Sequence, residues 1–276
     1  MALVLQATSR ESLAEVAARL DAYIDQAAPA DLERMGDELF AVTRLLQETP
    51  SLRRHLADPS APESVRTGLV QRLLNGKVSQ PALDIVAAAV AARWSQTIDL
   101  VEALEELARR ATLAVAEKNG TLDDVEDELF RFGRILDREP ELAVLLADPT
   151  QPAEKKVELL DRILQGKVSP VTLALLRQTV RLPRGRHLDI AAEELAELAA
   201  ARRDRYVAQV TAPVALTDAQ EQRLAGTLSR LYGRAMSLQV DLDESLLGGL
   251  VIRVGGEVID GSVAGKLEEA RRRLPR

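Results

Sequence analysis

The sequence repeats itself at an interval of 90 residues, and no other feature constrains the fold as strongly. Asp37-Glu-Leu-Phe40 returns as Asp127-Glu-Leu-Phe130, Leu56-Ala-Asp-Pro59 as Leu146-Ala-Asp-Pro149, and Gly76-Lys-Val-Ser79 as Gly166-Lys-Val-Ser169. Between 37–79 and 127–169, 20 of 43 gapless pairs are identical, and others are conservative, such as Leu45/Ile135 and Leu73/Ile163. A match of this quality in one register is an internal duplication. Two copies with so long a period do not build a solenoid, so each is expected to be a compact domain.

Within each copy the apolar spacing and the breakers predict helices. Thr8 and Glu11 stand at capping-box spacing ahead of Leu13, Val16 and Leu20. Leu32, Met35, Leu39, Val42 and Leu46 recur at helical spacing over 31–48. Pro50, Pro59 and Pro62 then break the chain around a short turn at 52–56. A helix over 63–74 should end just before Gly76, where a left-handed C-cap glycine belongs. The apolar run from Ile85 to Ala92 reads as a buried core helix, far short of the roughly 20 residues that span a bilayer. Pro140, Pro149, Pro152 and Gly166 repeat the scheme in the second copy. From Ile98 to Lys118 there is neither Pro nor Gly, and Val101, Leu104, Leu107, Ala108, Ala111 and Val115 keep one apolar stripe. That predicts a single helix about 30 Å long, closing the first bundle and opening the second, so that the two act as one elongated body.

After Ala201 the pattern changes. Tyr206–Thr211 is short and β-branched, and Thr217 with Gln220 opens a helix carrying Leu224, Leu228 and Leu231. Met236–Asp241 alternates with period two, and Leu250–Val254, Gly255-Gly256 and Glu257–Ile259 read as a hairpin. A last charged helix is expected over 263–274. The expected fold is therefore mainly α. Two tandem helical bundles, 1–108 and 109–205, are joined by a long helix and followed by a small α/β domain, 206–276.

The residues exclude most chemistry. With no Cys and only two His (His55 and His187), thiolate nucleophiles, disulfides and multi-histidine metal sites are out of reach. His55 aligns with Leu145 and His187 with Thr97, so neither marks a site the copies share. A net charge of −7 and 3% aromatic residues argue against nucleic acid, which is bound through phosphate neutralisation and base stacking. Gly76-Lys77 and Gly166-Lys167 lack the upstream glycine of a phosphate loop, and the glycine pairs 248–249 and 255–256 lack dinucleotide spacing. Those pairs serve better as turns or close backbone approaches. The acid pairs Glu105-Glu106, Glu193-Glu194 and Asp123-Asp124 are expected on solvated helix faces. Arg271–Arg273 is expected to complement the last turn of its helix. Trp94, the sole Trp, reads as packing or a partner contact rather than chemistry. Met1–Ala7 is apolar, but Arg10 and Glu11 follow too soon for a signal-peptide core. No catalytic, cofactor or metal residue is assigned; an enzyme using only carboxylates and arginines would need a convergent acidic cleft.

The stretch from Leu238 to Ser262 resembles the signature of the ATP synthase delta subunit, the bacterial relative of the oligomycin-sensitivity-conferring protein. The resembling elements are the strand ending in Asp241, then Leu247-Gly248-Gly249-Leu250, and the hairpin with Gly255 into Asp260-Gly261-Ser262, with Leu267 in a terminal helix. Residues 109–205 look like the family's N-terminal six-helix bundle, and the extra copy over 1–108 resembles the actinobacterial branch, as does the use of 30 Arg against 6 Lys. The resemblance implies a non-catalytic stator at the cytoplasmic face of the cell membrane. Its partners would be the alpha subunits of the catalytic head and the b-subunit stalk, and it would meet the membrane only through the complex. It further implies that the helical bundle grips alpha N-terminal segments and that 206–276 holds the end of the b stalk. Either the second bundle keeps that role and the first braces the stalk, or the two divide the work. The signature residues Asp241, Leu247, Gly248, Gly249, Gly255, Asp260, Gly261 and Ser262 are assigned mainly to folding the hairpin, or else to stalk contact. A generic two-bundle adaptor is the alternative, and it leaves the signature unexplained.

Overall fold

The sequence repeat reappears as a repeat of helices. The structure, a computed structural model, describes residues 5–204, 207–232, 236–243, 245–246, 248–254 and 257–263. The chain divides into two compact units, 1–199 and 200–276. In the first, α1 (Ala7–Gln26), α2 (Pro29–Glu48), α3 (Pro50–Leu56), α4 (Glu63–Leu74), α5 (Gln80–Ala91) and α6 (Thr97–Asn119) follow in order. They are succeeded by α7 (Leu122–Arg138), α8 (Pro140–Ala147), α9 (Ala153–Leu164), α10 (Pro170–Arg181) and α11 (Leu188–Asp204), which runs across the unit boundary. A shift of 90 carries the start of α1 onto the start of α6, α4 onto α9, and α5 onto α10. The same shift carries α6 onto α11, so α6 is at once the sixth helix of the first copy and the first of the second.

That double membership explains its burial. Leu100, Val101, Ala103, Leu104, Leu107, Ala108, Ala111, Leu113, Ala114 and Ala116 are all fully buried, and they cover most of the helix circumference rather than one stripe. The core is continuous from Val16 on α1 to Ala199 on α11, with α6 inside it. α2 and α6 approach closely at Gly36, where an added Cβ would lie 2.4 Å from Thr112 Oγ1.

The repeated motifs are repeated joints. Glu38 Oε2 accepts from the Ser79 hydroxyl at 2.5 Å, and Ser79 caps α5 by accepting from Ala82 N at 3.4 Å. In the second copy Glu128 accepts from Ser169 N at 2.9 Å and from the Thr172 hydroxyl at 2.5 Å, and Ser169 caps α10. The Glu of one motif thus holds the helix start supplied by the other. Asp58 and Asp148 each accept from the backbone N–H and hydroxyl two residues on, Ser60 and Thr150, which keeps both carboxyls below the usual range. Gly76 and Gly166 take φ of 72° and 75° past the ends of α4 and α9, as the C-cap position requires. At the N-terminus, α1 begins at Ala7 without a side-chain cap, so the Thr8–Glu11 box does not form. The neighbouring hydroxyl, Ser9, instead donates to Asp99 Oδ2 at 2.6 Å and accepts from Ser95 N at 2.9 Å, tying α1 to the start of α6.

The second unit contains β1 (Val207–Ala212), α12 (Asp218–Tyr232), β2 (Ser237–Leu242), β3 (Val251–Val254) and β4 (Glu257–Asp260). The sheet order is β2-β1-β3-β4, with β1 parallel to β2 and antiparallel to β3, and β3 antiparallel to β4. Thr217 and Gln220 form the expected capping box on α12, at 2.8 and 3.4 Å. Ala208, Val210, Leu228, Met236, Ile252 and Val254 form a separate small core. Beyond Val263, the terminal helix expected over 263–274, with Leu267 and Arg271–Arg273, lies outside the described residues.

Candidate partner-binding site

The signature residues gather where the chain enters and leaves the β3–β4 hairpin. Gly261 N donates to Leu250 O and Val263 N donates to Gly248 O, each at 2.9 Å, extending the β3–β4 register past the strand ends. Gly249 therefore stands opposite Ser262 with φ of 83°, and an added Cβ there would lie 2.4 Å from Gly261 O and 2.8 Å from Ser262 Cα. Only glycine fits both the conformation and the approach. Gly248 takes φ of 146°, and an added Cβ there would meet the Val263 side chain at 3.2 Å, while a Cβ on Gly261 would meet Leu250 O at 3.1 Å. Asp260 accepts from Ser262 N at 2.9 Å; hydrogen bonds from Ser262 hold its exposed carboxyl below the usual range. Asp243 does the same with Ser245, whose N–H and hydroxyl lie at 2.9 and 2.6 Å. Asp241 is not part of this cluster. It pairs with Thr211 on edge strand β2, three strand spacings from β4, or about 14 Å. Leu247 and Gly255 lie outside the described residues.

Beside this joint the unit carries an open groove of about 470 Å³, lined by Pro213, Val214, Leu216, Leu224 and Leu250, with Gln220 and Arg223 among its polar residues. Val214 is 68% exposed there. The sequence reading did not pick out this lining, because its residues come from a loop, a helix and a strand end, and no period links them.

In the helical unit the structure corrects one expectation. Glu105 and Glu106 are buried, not solvated. Glu105 accepts from Arg109 at 2.6 Å, from Arg184 at 2.5 Å and from Arg186; Arg184 also reaches Glu102 at 3.1 Å, and Arg186 reaches Glu194 at 3.5 Å. Glu106 pairs with Arg110 at 3.0 Å. Burial by itself would raise the Glu105 carboxyl, but the guanidiniums of Arg109, Arg186 and Arg184 outweigh it and hold it below the usual range. Burial opposes the charge on Arg109, yet a guanidinium stays protonated in proteins, so only Glu105 titrates in this pair. Arg184 sits at φ of 53°, a conformation disfavoured for a residue with a side chain, and its ion pairs hold it there. The i,i+4 spacing of Glu105 with Arg109 and Glu106 with Arg110 was visible in the sequence, but the loop whose arginines close over Glu105 was not.

Trp94 is buried, and its indole N–H donates to Ala89 O at 2.8 Å, which accounts for it as packing. His55 and His187 are exposed. None of the described helices is long and apolar enough to cross a membrane.

The family model for the ATP synthase delta (OSCP) subunit matches residues 109–274, more than half of the chain. The chain belongs to the ATP synthase delta (OSCP) subunit family. The ATP synthase subunit delta of Streptomyces griseus is 48% identical over 270 residues, covering 98% of this chain and 99% of that one. The ATP synthase subunit b-delta of Mycobacterium sp. (strain KMS) is 47% identical over 271 residues, 98% of this chain but 61% of that longer one. A chain in the Toxoplasma gondii mitochondrial ATP synthase hexamer shows a loose likeness, with a TM-score of 0.34 and 22% identity over 61% of this chain and 96% of that one. The generic adaptor reading finds no support beside these matches.

Proposed function

We propose that this delta-family chain is a non-catalytic stator of the rotary, proton-translocating ATP synthase. It links the alpha subunits of the catalytic head to the b-subunit stalk, so that proton flow drives ATP synthesis instead of idle rotation. The observation that carries this reading is near-full-length identity of 48% to an ATP synthase subunit delta. The chain works at the cytoplasmic face of the cell membrane and meets the membrane only through the complex. Three functional parts follow the sequence: 109–205 receives the alpha segments, 206–276 holds the b stalk, and 1–108 either braces the stalk or shares the binding of alpha.

One physical feature supports the stalk assignment of 206–276. An open apolar groove with a polar rim suits an amphipathic stalk helix, whose apolar face would cover Val214, Leu216, Leu224 and Leu250. Gly249 lines the groove beside Leu250, and Gly248, Asp260, Gly261 and Ser262 then act one step away, by fixing the hairpin that continues from that wall. Asp241, on the opposite edge strand, takes no part in that joint.

Purification of the complex tests the reading. The chain is expected to co-purify with alpha and b subunits, and deletion of 206–276 is expected to release b while alpha binding survives. Retained b binding by the truncated chain would overturn the assignment of the stalk site.

A further inference from the structure

The duplication lets each copy act as a reference for the other. By the 90-residue shift, Phe40, Arg44 and Gln47 on α2 correspond to Phe130, Arg134 and Asp137 on α7. Leu100 and Ala103 on α6 likewise correspond to Ile190 and Glu193 on α11. In the first copy this face is covered. Phe40 is 6% exposed and Leu100 is fully buried, and Arg44 donates to Gln178 on α10 at 2.6 Å. In the second copy the same face is bare among the described residues: Phe130 is 55% exposed and Ile190 39%. A groove of about 130 Å³ opens there, lined by Phe130, Gly133, Arg134, Asp137, Asp189 and Glu193.

The end of a repeat is expected to be polar. Glu193, Glu194 and Glu197 follow that rule, standing where α6 has Ala103, Leu104 and Leu107. Phe130 and Ile190 break it, on adjacent helices and at the positions that are covered in the first copy. What reaches across the equivalent face in the first copy is a helix, α10. The charges around the bare face are mostly acidic, with Arg134 the exception among the groove residues.

We propose that the α7–α11 face docks an amphipathic helix of a partner protein, apolar where it meets Phe130 and Ile190 and bearing lysine or arginine where it meets Asp137, Asp189, Glu193 and Glu197. The inference rests on the stator reading only for where the partner is sought.

The test uses the full-length tagged chain in cells, with Phe130 replaced by the photo-crosslinker p-benzoylphenylalanine. After irradiation the tagged chain is recovered and its adducts are mapped by mass spectrometry. An adduct to a helix of another protein, with Lys or Arg flanking an apolar stripe, is expected. Adding Glu193→Lys and Glu197→Lys should lower its yield about fivefold, since each exposed charge pair contributes on the order of 0.5 kcal/mol. The same crosslinker at Val65, an exposed apolar position of the first copy, should not give that adduct. An adduct within the same chain, one to an acidic segment, no adduct, or a yield unmoved by charge reversal would each overturn the proposal. Failure of the stator reading shows separately, as absence of alpha and b from the recovered material.

Discussion

Glu105→Gln removes the one carboxylate shared by three guanidiniums and leaves its neighbours in place. The side chains of Arg109 and Arg184 are 5% and 9% exposed, so neither cation regains water when the charge goes. Breaking a buried pair by removing one partner costs about 3–5 kcal/mol. Arg184 keeps Glu102 and Arg186 keeps Glu194, which puts the expectation at the low end, about 3 kcal/mol. With a urea slope on the order of 2 kcal/mol/M, the unfolding midpoint should fall by about 1.5 M. Trp94 is the natural probe, being the sole Trp and buried in the same unit. The pH dependence has a definite sign. The folded Glu105 carboxyl lies below its unfolded value, so the wild-type advantage is fully present above about pH 4.3. It is lost as pH falls through the lower folded value, and the two proteins should converge in acid. A midpoint change under about 0.3 M at neutral pH, or a difference that persists unchanged in acid, would refute the account of the network.

Gly249→Ala should destabilise the second unit by more than about 2 kcal/mol, combining the left-handed backbone with a backbone clash; faster amide exchange in β3 and β4, with α6 unaffected, would show it. Gly36→Ala should cost about 1–3 kcal/mol by overpacking against the Thr112 hydroxyl, and Thr112→Ala in the same chain should recover most of the loss in a denaturation double-mutant cycle. Ser79→Ala and Ser169→Ala should each cost about 1 kcal/mol as lost caps. If the two joints are equivalent, Glu38→Ala should weaken the start of α5, and Glu128→Ala the start of α10, in hydrogen exchange.

The helices and their order were legible because proline, glycine and apolar spacing act locally. The predicted 63–74 helix is α4 (Glu63–Leu74), and the glycines after α4 and α9 take the left-handed conformation their position demands. The hairpin was equally legible from alternation and from Gly255-Gly256. The environment of Glu105 was not. A single apolar stripe was read on α6 because Ala, Thr and paired charges do not register as apolar, although they fill the second buried face. Whether Glu105 is solvated depends on Arg184 and Arg186, which arrive from a loop about 80 positions later in the chain. Local patterning cannot carry that information. The exposure of Phe130 escaped for the converse reason: it matches Phe40 in sequence, yet among the described residues Phe130 is exposed and Phe40 is buried.

The shared helix bears directly on whether the two copies can move against each other. Two bundles joined by an exposed helical strut could bend at the strut with little loss of packing. Here Leu100, Leu104, Leu107 and Leu113 are fully buried on the joining helix itself. Opening the copies around α6 would return such side chains to water at about 1.5–3 kcal/mol each, or on the order of 10 kcal/mol for the four. It would also pull Glu105 and Arg109 on α6 away from the loop that pairs with Glu105. A thermal fluctuation of that size is rare, because it approaches the whole stability of a typical domain. Torque on a stator would therefore pass through the helical unit as through one body. Compliance, if the stalk needs it, has to come from outside the repeat.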